Sequence, residues 1–255
     1  MQFSANLGFL WSELTLLDAI RAAKTAGFAA VECHWPYDTP AADVKAALDE
    51  TALPMLGLNT RRGDVAGGEN GLGALPGREA EARAAIDEAL AYAAVVEARA
   101  VHVMAGFTEG PEAHACFVGN LEYASARAAD AGRTILIEPL NRNDAPGYFL
   151  QTTDQARAII EAVGADNLKL MFDCYHVGRT EGDITTRLAG MLDVIGHIQF
   201  AGVPTRGRPD KSEVDYQFVF KAISEMAWPT PLGAEYKPGG PTGDTLGWMT
   251  TLTAD

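Results

Sequence analysis

Disulfide pairing has little to work with in this chain. The three cysteines, Cys33, Cys116 and Cys174, are odd in number and form no C-x-x-C pair. That argues against a disulfide framework and points to a reducing compartment, so a cytoplasmic location is expected. Long apolar runs are missing too. Even the stretch from 88 to 107 is broken by Glu97 and Arg99, so no membrane span is expected. The opening residues, Met1-Gln2-Phe3-Ser4-Ala5-Asn6, carry neither a basic leader nor an apolar core, and no signal peptide is expected. Positive charge is scarce, and the formal net charge is −14. With no local basic stripe, a phosphate backbone would be repelled, so no nucleic-acid partner is expected. A G-x-G-x-x-G turn is absent after the first strand-like run, "FSANLGF". This weighs against an open doubly wound sheet of the dinucleotide-binding kind.

What is present is alternation. Strand-like runs occur at 3–9, 29–35, 54–60, 100–106, 134–140, 168–174, 197–202 and 231–237, with helix-like stretches between them. Leu16-Leu17-Ile20-Ala23-Ala26 has helical spacing, and "TTDQARAIIEAVG" (152–164) starts on a threonine cap and stops at a glycine. Eight such units in 255 residues, 47% apolar and without a dividing linker, predict one α/β domain over 1–255. Its expected form is a (β/α)8 TIM barrel. The segment "RRGDVAGGENGLGALPGRE" (61–79) is too glycine-rich for a helix. It follows the third strand and reads as a functional loop, with a loose insertion as the alternative.

"TILIEPLNRND" (134–144) begins as a fully covered strand and then places a carboxylate, Glu138, at its end. A buried charge needs a partner, and the run supplies no lysine or arginine for it. The pattern recurs. Asp173 ends the sixth run, Gln199 lies in the seventh and Glu235 ends the eighth, at intervals of 35, 26 and 36 residues. In a barrel the C-terminal ends of adjacent strands converge on one pocket. Three carboxylates and an amide oxygen there would repel one another without a cation. All-oxygen donors favour magnesium or manganese over zinc. A single acid at a strand end is commonly a helix cap, but four at successive ends form a pattern.

Other polar residues surround this set. His176, three residues after Asp173, is a candidate hydrogen-bond donor to substrate or a packed loop histidine. His197 shares a strand face with Gln199 and could support a ligand or fill a barrel layer. His102, His34 and Asn59 lie near other strand ends, and we read His102 and Asn59 as lining the substrate pocket. Arg206 and Arg208, in the loop after the seventh run, could fork onto a carboxylate. Arg61 and Arg78 flank the 61–79 loop and carry weaker claims. Cys174 should point away from the pocket as a core thiol.

The chain resembles the hydroxypyruvate isomerases of the xylose isomerase-like barrel superfamily. The resemblance runs through "ANLGFLWSELTLLDAIRAAKTAGFAAVECHWPYD", "GLGALPGRE", "VHVMAG", "IEPLNRNDAPGYFL", "LKLMFDCYHVGRTEGDI", "HIQFAGVP" and "SEVDY". It implies a (β/α)8 barrel that interconverts hydroxypyruvate and tartronate semialdehyde. It also implies Glu138 and Glu235 as the acid/base pair, and a divalent metal held by these two with Asp173 and Gln199. Two positions depart from the pattern. Gly178 stands where relatives often carry glutamine, and Arg208 where they often carry glutamate. The substrate class is therefore a small keto acid or keto sugar. The alternatives are a 2-oxo-tetronate isomerase or a keto-sugar 3-epimerase and, more remotely, an apurinic-site endonuclease-like protein or a non-catalytic binding protein. Trp35, Trp228 and Trp248 are candidates either for an interface between copies, as in a homo-oligomer, or for the core.

Overall fold

The computed structural model describes residues 1–253. Eight strands alternate with helices: β1 (Phe3–Asn6), β2 (Ala30–Glu32), β3 (Gly57–Asn59), β4 (Ala100–His102), β5 (Thr134–Ile137), β6 (Leu168–Asp173), β7 (Ile195–Phe200) and β8 (Leu232–Ala234). All pair in parallel, in the order β2-β1-β8-β7-β6-β5-β4-β3. A bridge between Val31 and Met55 brings the two ends of this sheet together. The result is the expected single (β/α)8 barrel.

The ladders are shorter than the apolar runs that predict them. The run 29–35 yields only Ala30–Glu32 as strand. Beyond it, backbone bonds to the next strand continue, with Cys33 N–H donating to Gly57 at 3.1 Å and Asn59 N–H to His34 at 2.8 Å. The same holds after β3 and β8, where Thr60 N–H donates to His102 at 2.9 Å and Glu235 N–H to Phe200 at 3.0 Å. Residues just beyond these short strands are therefore anchored by their backbone.

The helices form where the sequence caps them. In α1 (Leu16–Thr25), Thr15 accepts from the backbone N–H of Asp18. In α5 (Thr153–Val163), Thr152 accepts from Gln155 N–H, and Gly164 ends the helix at φ 66°, as expected from "TTDQARAIIEAVG". The remaining helices are α2 (Ala41–Thr51), α3 (Glu79–Val96), α4 (Pro111–Ala129), α6 (Cys174–Thr180), α7 (Ile184–Met191), α8 (Tyr216–Glu225) and α9 (Trp248–Thr251). Trp248 is fully buried against Phe3 and Phe200, with ring centroids 4.9 and 5.3 Å away. It is core, whereas Trp35 and Trp228 are half-buried. Among the described residues, no helix is long and apolar enough to cross a membrane.

The 61–79 loop is not loose. Gly73 and Ala74 donate to the carbonyls of Met104 and Ala105 at 3.0 and 2.7 Å, and Gly71 bridges to Ala105. The loop lies directly on the end of β4. A Cβ on Gly71 would sit 2.6 Å from the Met104 carbonyl oxygen, so only glycine permits this approach.

Candidate active site

Glu138, Asp173, Gln199 and Glu235 are all buried at the C-terminal end of the barrel. Register explains part of this. Asp173 pairs with Gln199 across β6 and β7, and Gln199 with Gly233 across β7 and β8. Asp173 also caps α6, its Oδ1 accepting from Tyr175 N–H at 2.8 Å. Its Oδ2 is left without a hydrogen-bond partner, as are Glu138 Oε1, Gln199 Oε1 and His176 Nε2. Buried polar atoms are almost always paired. Four orphans at one end of a barrel therefore mark a place built for something else.

His176 faces two of these acids, with Nε2 3.7 Å from Glu138 Oε1 and 3.6 Å from Asp173 Oδ2. Ligand atoms of these three residues lie within 4.8 Å of one another. The other ring nitrogen decides what His176 can do. Nδ1 receives the backbone N–H of Asn141 at 2.9 Å and its side-chain amide at 2.8 Å. Both partners can only donate, so Nδ1 accepts, and in the neutral ring the proton sits on Nε2. Burial, followed by the nearby Arg206 charge, pushes this imidazole down to about 3. It is neutral and presents an N–H to the pocket. That makes it a hydrogen-bond donor there rather than a metal ligand. The orphaned oxygens of Glu138, Asp173 and Gln199 form an all-oxygen set that fits a hard divalent cation.

Glu235 is engaged differently. Its Oε1 accepts from Asn6 Nδ2 at 3.0 Å and from His34 Nε2 at 2.8 Å, and its Oε2 meets Arg206 at 2.5 Å. Arg206 is drawn into the acidic centre, with its head group 3.8 Å from Asp173 as well. It is sandwiched between the rings of Phe9 and Tyr175 at 4.8 and 5.3 Å. Its backbone adopts φ 56°, an uncommon conformation for a side chain-bearing residue. Two hydrogen bonds, Lys237 N–H to its carbonyl and Gly202 N–H to that of Gly207, hold the loop there. The Arg206 Nε–H is buried without a partner and remains available to a ligand.

These surroundings separate the two glutamates. For Glu138, burial and then the charges of Glu235 and Asp173 push the carboxyl well above the usual range. For Glu235, burial acts in the same upward sense, but Arg206 and His34 outweigh it and hold the carboxyl well below that range. Asp173 is pushed up to about 7 by burial and by Glu235.

The remaining candidates fall into place around this centre. His102 is buried, 3.8 Å from Glu138 Oε2, with neither ring nitrogen hydrogen-bonded. Asn59 pairs with His102 across β3 and β4 and lines the barrel interior with Asn6, Glu32, His197 and Gln199. His197 binds Glu32 rather than a pocket-facing acid. Arg208, Arg61 and Arg78 find acids of their own in Asp210, Glu88, and the pair Glu69 and Glu81. Burial pushes the Cys174 thiol far up, as suits a core residue. A side chain at 178 would point at Val203, Ile184 and Val214, an apolar seam rather than the acids, so this departure leaves the centre untouched. Asn6, Glu32 and His34 are the members least visible beforehand. Asn6 and Glu32 end β1 and β2 just as Asp173 ends β6.

Comparison with known proteins agrees with the fold. Residues 20–252 match the family model described as xylose isomerase-like TIM barrel. The chain is 43% identical over 252 residues to 2-oxo-tetronate isomerase of Cupriavidus necator, covering 97% of each protein. It is 37% identical over 253 residues to hydroxypyruvate isomerase of Escherichia coli K12, covering 98% of each. The crystal structure of a Brucella melitensis protein named AP endonuclease, family 2, superposes with a TM-score of 0.95 at 35% identity, over 100% of this chain and 99% of that one. The chain belongs to the xylose isomerase-like TIM barrel family.

Proposed function

We propose that the protein is an isomerase of a small hydroxy keto acid, with interconversion of hydroxypyruvate and tartronate semialdehyde as its first reading. One observation carries this: two buried glutamates share a pocket in different settings, Glu235 paired with Arg206 at 2.5 Å and Glu138 with Oε1 left without a partner. Moving a proton between adjacent carbons needs one group ready to accept and another ready to give. Glu235, kept ionised by Arg206, removes the C3 proton of hydroxypyruvate. Glu138 delivers a proton to C2 of the resulting enediolate, while the C3 hydroxyl proton passes to the C2 oxygen, leaving the aldehyde at C3. The His176 Nε2–H and the Arg206 Nε–H orient the substrate's oxygens and carboxylate.

The orphaned oxygens of Glu138, Asp173 and Gln199, with Glu235 beside them, would hold magnesium or manganese. Such an ion would offset the clustered negative charge and stabilise the charge that develops on the substrate oxygens. The names of the relatives support an isomerase of this class. They favour 2-oxo-tetronate as strongly as hydroxypyruvate, since one relative of each kind matches almost end to end. A nuclease activity is suggested by the Brucella protein's name. Against it stand the net charge of −14 and, among the described residues, a single ligand cluster with one histidine.

The test is proton NMR in D2O with hydroxypyruvate and, separately, 2-oxo-tetronate, with added Mn2+ or Mg2+ and again after chelation. Deuterium uptake at the carbon next to the carbonyl, with product formation, is expected with metal and not without it. Turnover in protein shown to be metal-free would overturn the cation's role. No exchange with either substrate in metal-loaded protein would overturn the keto-acid reading.

A further inference from the structure

Glu32 ends β2 and is buried deep in the barrel, yet it faces none of the reacting groups. Its Oε2 meets Gln199 Nε2 at 3.0 Å and the His197 ring at 2.9 Å, and its Oε1 accepts from Ser4 Oγ at 3.2 Å. A buried carboxylate is costly unless such partners surround it. The barrel is also hollowed to admit it. A Cβ on Gly233 would lie 2.2 Å from Glu32 Oε1, 2.7 Å from Gln199 Cγ and 3.0 Å from His197 Nε2. Gly233 sits in regular strand β8, so space rather than backbone freedom is what requires glycine there.

The chemistry of an amide explains why this arrangement matters. The oxygen and nitrogen of a glutamine have nearly the same shape, so packing alone does not choose between them. A carboxylate oxygen accepts hydrogen bonds, so the NH2 of Gln199 turns toward Glu32. The amide oxygen then points the other way, and it is buried without a partner. With the amide reversed, an NH2 group would face the acids' cation position and repel an ion there.

We infer that Glu32 is a positioning residue: through Gln199 Nε2 it fixes the amide so that Oε1 faces the divalent-cation position. This rests on the cation reading given above. The orientation is set from β2, on the far side of the barrel from the carboxylates of β5 and β6.

Calorimetric titration of the metal-free protein with MnCl2 tests it in wild type, Glu32→Gln, Gln199→Ala and the double variant. Glu32→Gln keeps the side-chain shape but can present an NH2 as readily as an oxygen. It should weaken Mn2+ binding by about 10- to 100-fold, the usual effect of losing a group that orients a ligand. In the Gln199→Ala background the same change should have little further effect, because the amide it orients is gone. Gly233→Ala, which pushes a methyl group into the carboxylate without changing any charge, should weaken binding in the same direction and serves if Glu32→Gln does not fold. Wild-type affinity in both folded variants would overturn the inference. So would an equal loss in the presence and absence of Gln199, which would mark a general structural effect. A wild-type protein that takes up no Mn2+ at all would instead overturn the cation reading, and the inference with it.

Discussion

Arg206 donates to Glu235 at 2.5 Å while its head group lies 3.8 Å from Asp173. One half-buried guanidinium therefore serves two buried carboxylates. Removing it leaves both without their cation. Arg206→Ala is expected to lower stability by about 3–5 kcal/mol in urea unfolding of the metal-free protein, the usual result of orphaning a buried charge. Added Mn2+ should narrow the gap by supplying positive charge nearby. Arg206→Lys should recover only part of the loss, because a point charge does not reproduce the planar fork. A variant as stable as wild type without metal would contradict the pairing.

The two glutamates should fail in different ways. Glu235→Gln removes the accepting group, so deuterium uptake and turnover should fall together, by about 10²- to 10⁴-fold. In metal-saturated protein, Glu138→Gln should lower turnover similarly while leaving measurable uptake at C3, since its amide oxygen can still face the cation and Glu235 makes the first proton transfer. NMR in D2O reads both quantities at once. The opposite pattern would exchange the two roles.

Stability of the metal-free protein should fall above neutral pH. Burial, with the neighbouring carboxylate charges, raises Glu138 well above its ordinary value and Asp173 to about 7, and burial lowers His102 and His176 to about 3. Between about pH 4 and 6.5 the folded state holds extra protons on two carboxyls and lacks them on two imidazoles, so these effects offset each other. Above 6.5 the imidazoles are neutral folded or unfolded, and only the carboxyls differ. His197 adds to them. Burial works against its charge, but Glu32 outweighs this and raises it. The folded state then binds more protons than the unfolded one, so stability declines as pH rises. Thermal melts from pH 6 to 8.5 should show a falling Tm that Mn2+ flattens. A Tm rising over this range would contradict the assigned directions.

Gly8 makes room for His34. A Cβ at that position would lie 2.1 Å from His34 Nδ1. Gly8→Ala should therefore displace the ring from Glu235 and cut kcat by about 10- to 100-fold, as small misplacements of catalytic groups do. Far-UV circular dichroism should be unchanged. His34→Ala should cost a similar amount, and the two changes together little more than either alone.

The barrel was legible because apolar runs and polar strand ends repeat at βα intervals. The same repetition exposed Glu138, Asp173, Gln199 and Glu235. It was equally present in Asn6 and Glu32, but their partners lie 229 and 167 residues away, and only closure of the sheet brings them together. Arg206 read as a loop residue, since nothing in "VPTRGRPD" reveals that its backbone turns at φ 56° and carries the side chain inward. The proton on His176 Nε2 depends on Asn141, 35 residues earlier. Gly8 and Gly233 were visible as letters. The side chains that would collide with a methyl group at those positions were not.

The bond between Asn6 and Glu235 joins the first strand to the last. During synthesis, every other member of the centre emerges before residue 235 and waits without it. A nascent chain halted short of β8 holds Asn6, Glu32, Glu138, Asp173 and Arg206 in one polypeptide and has no completed pocket. The final strand is thus both the closing stave of the barrel and the delivery of Glu235, the residue proposed as its base. Under the proposed chemistry, activity is expected to switch on with closure rather than to grow with chain length.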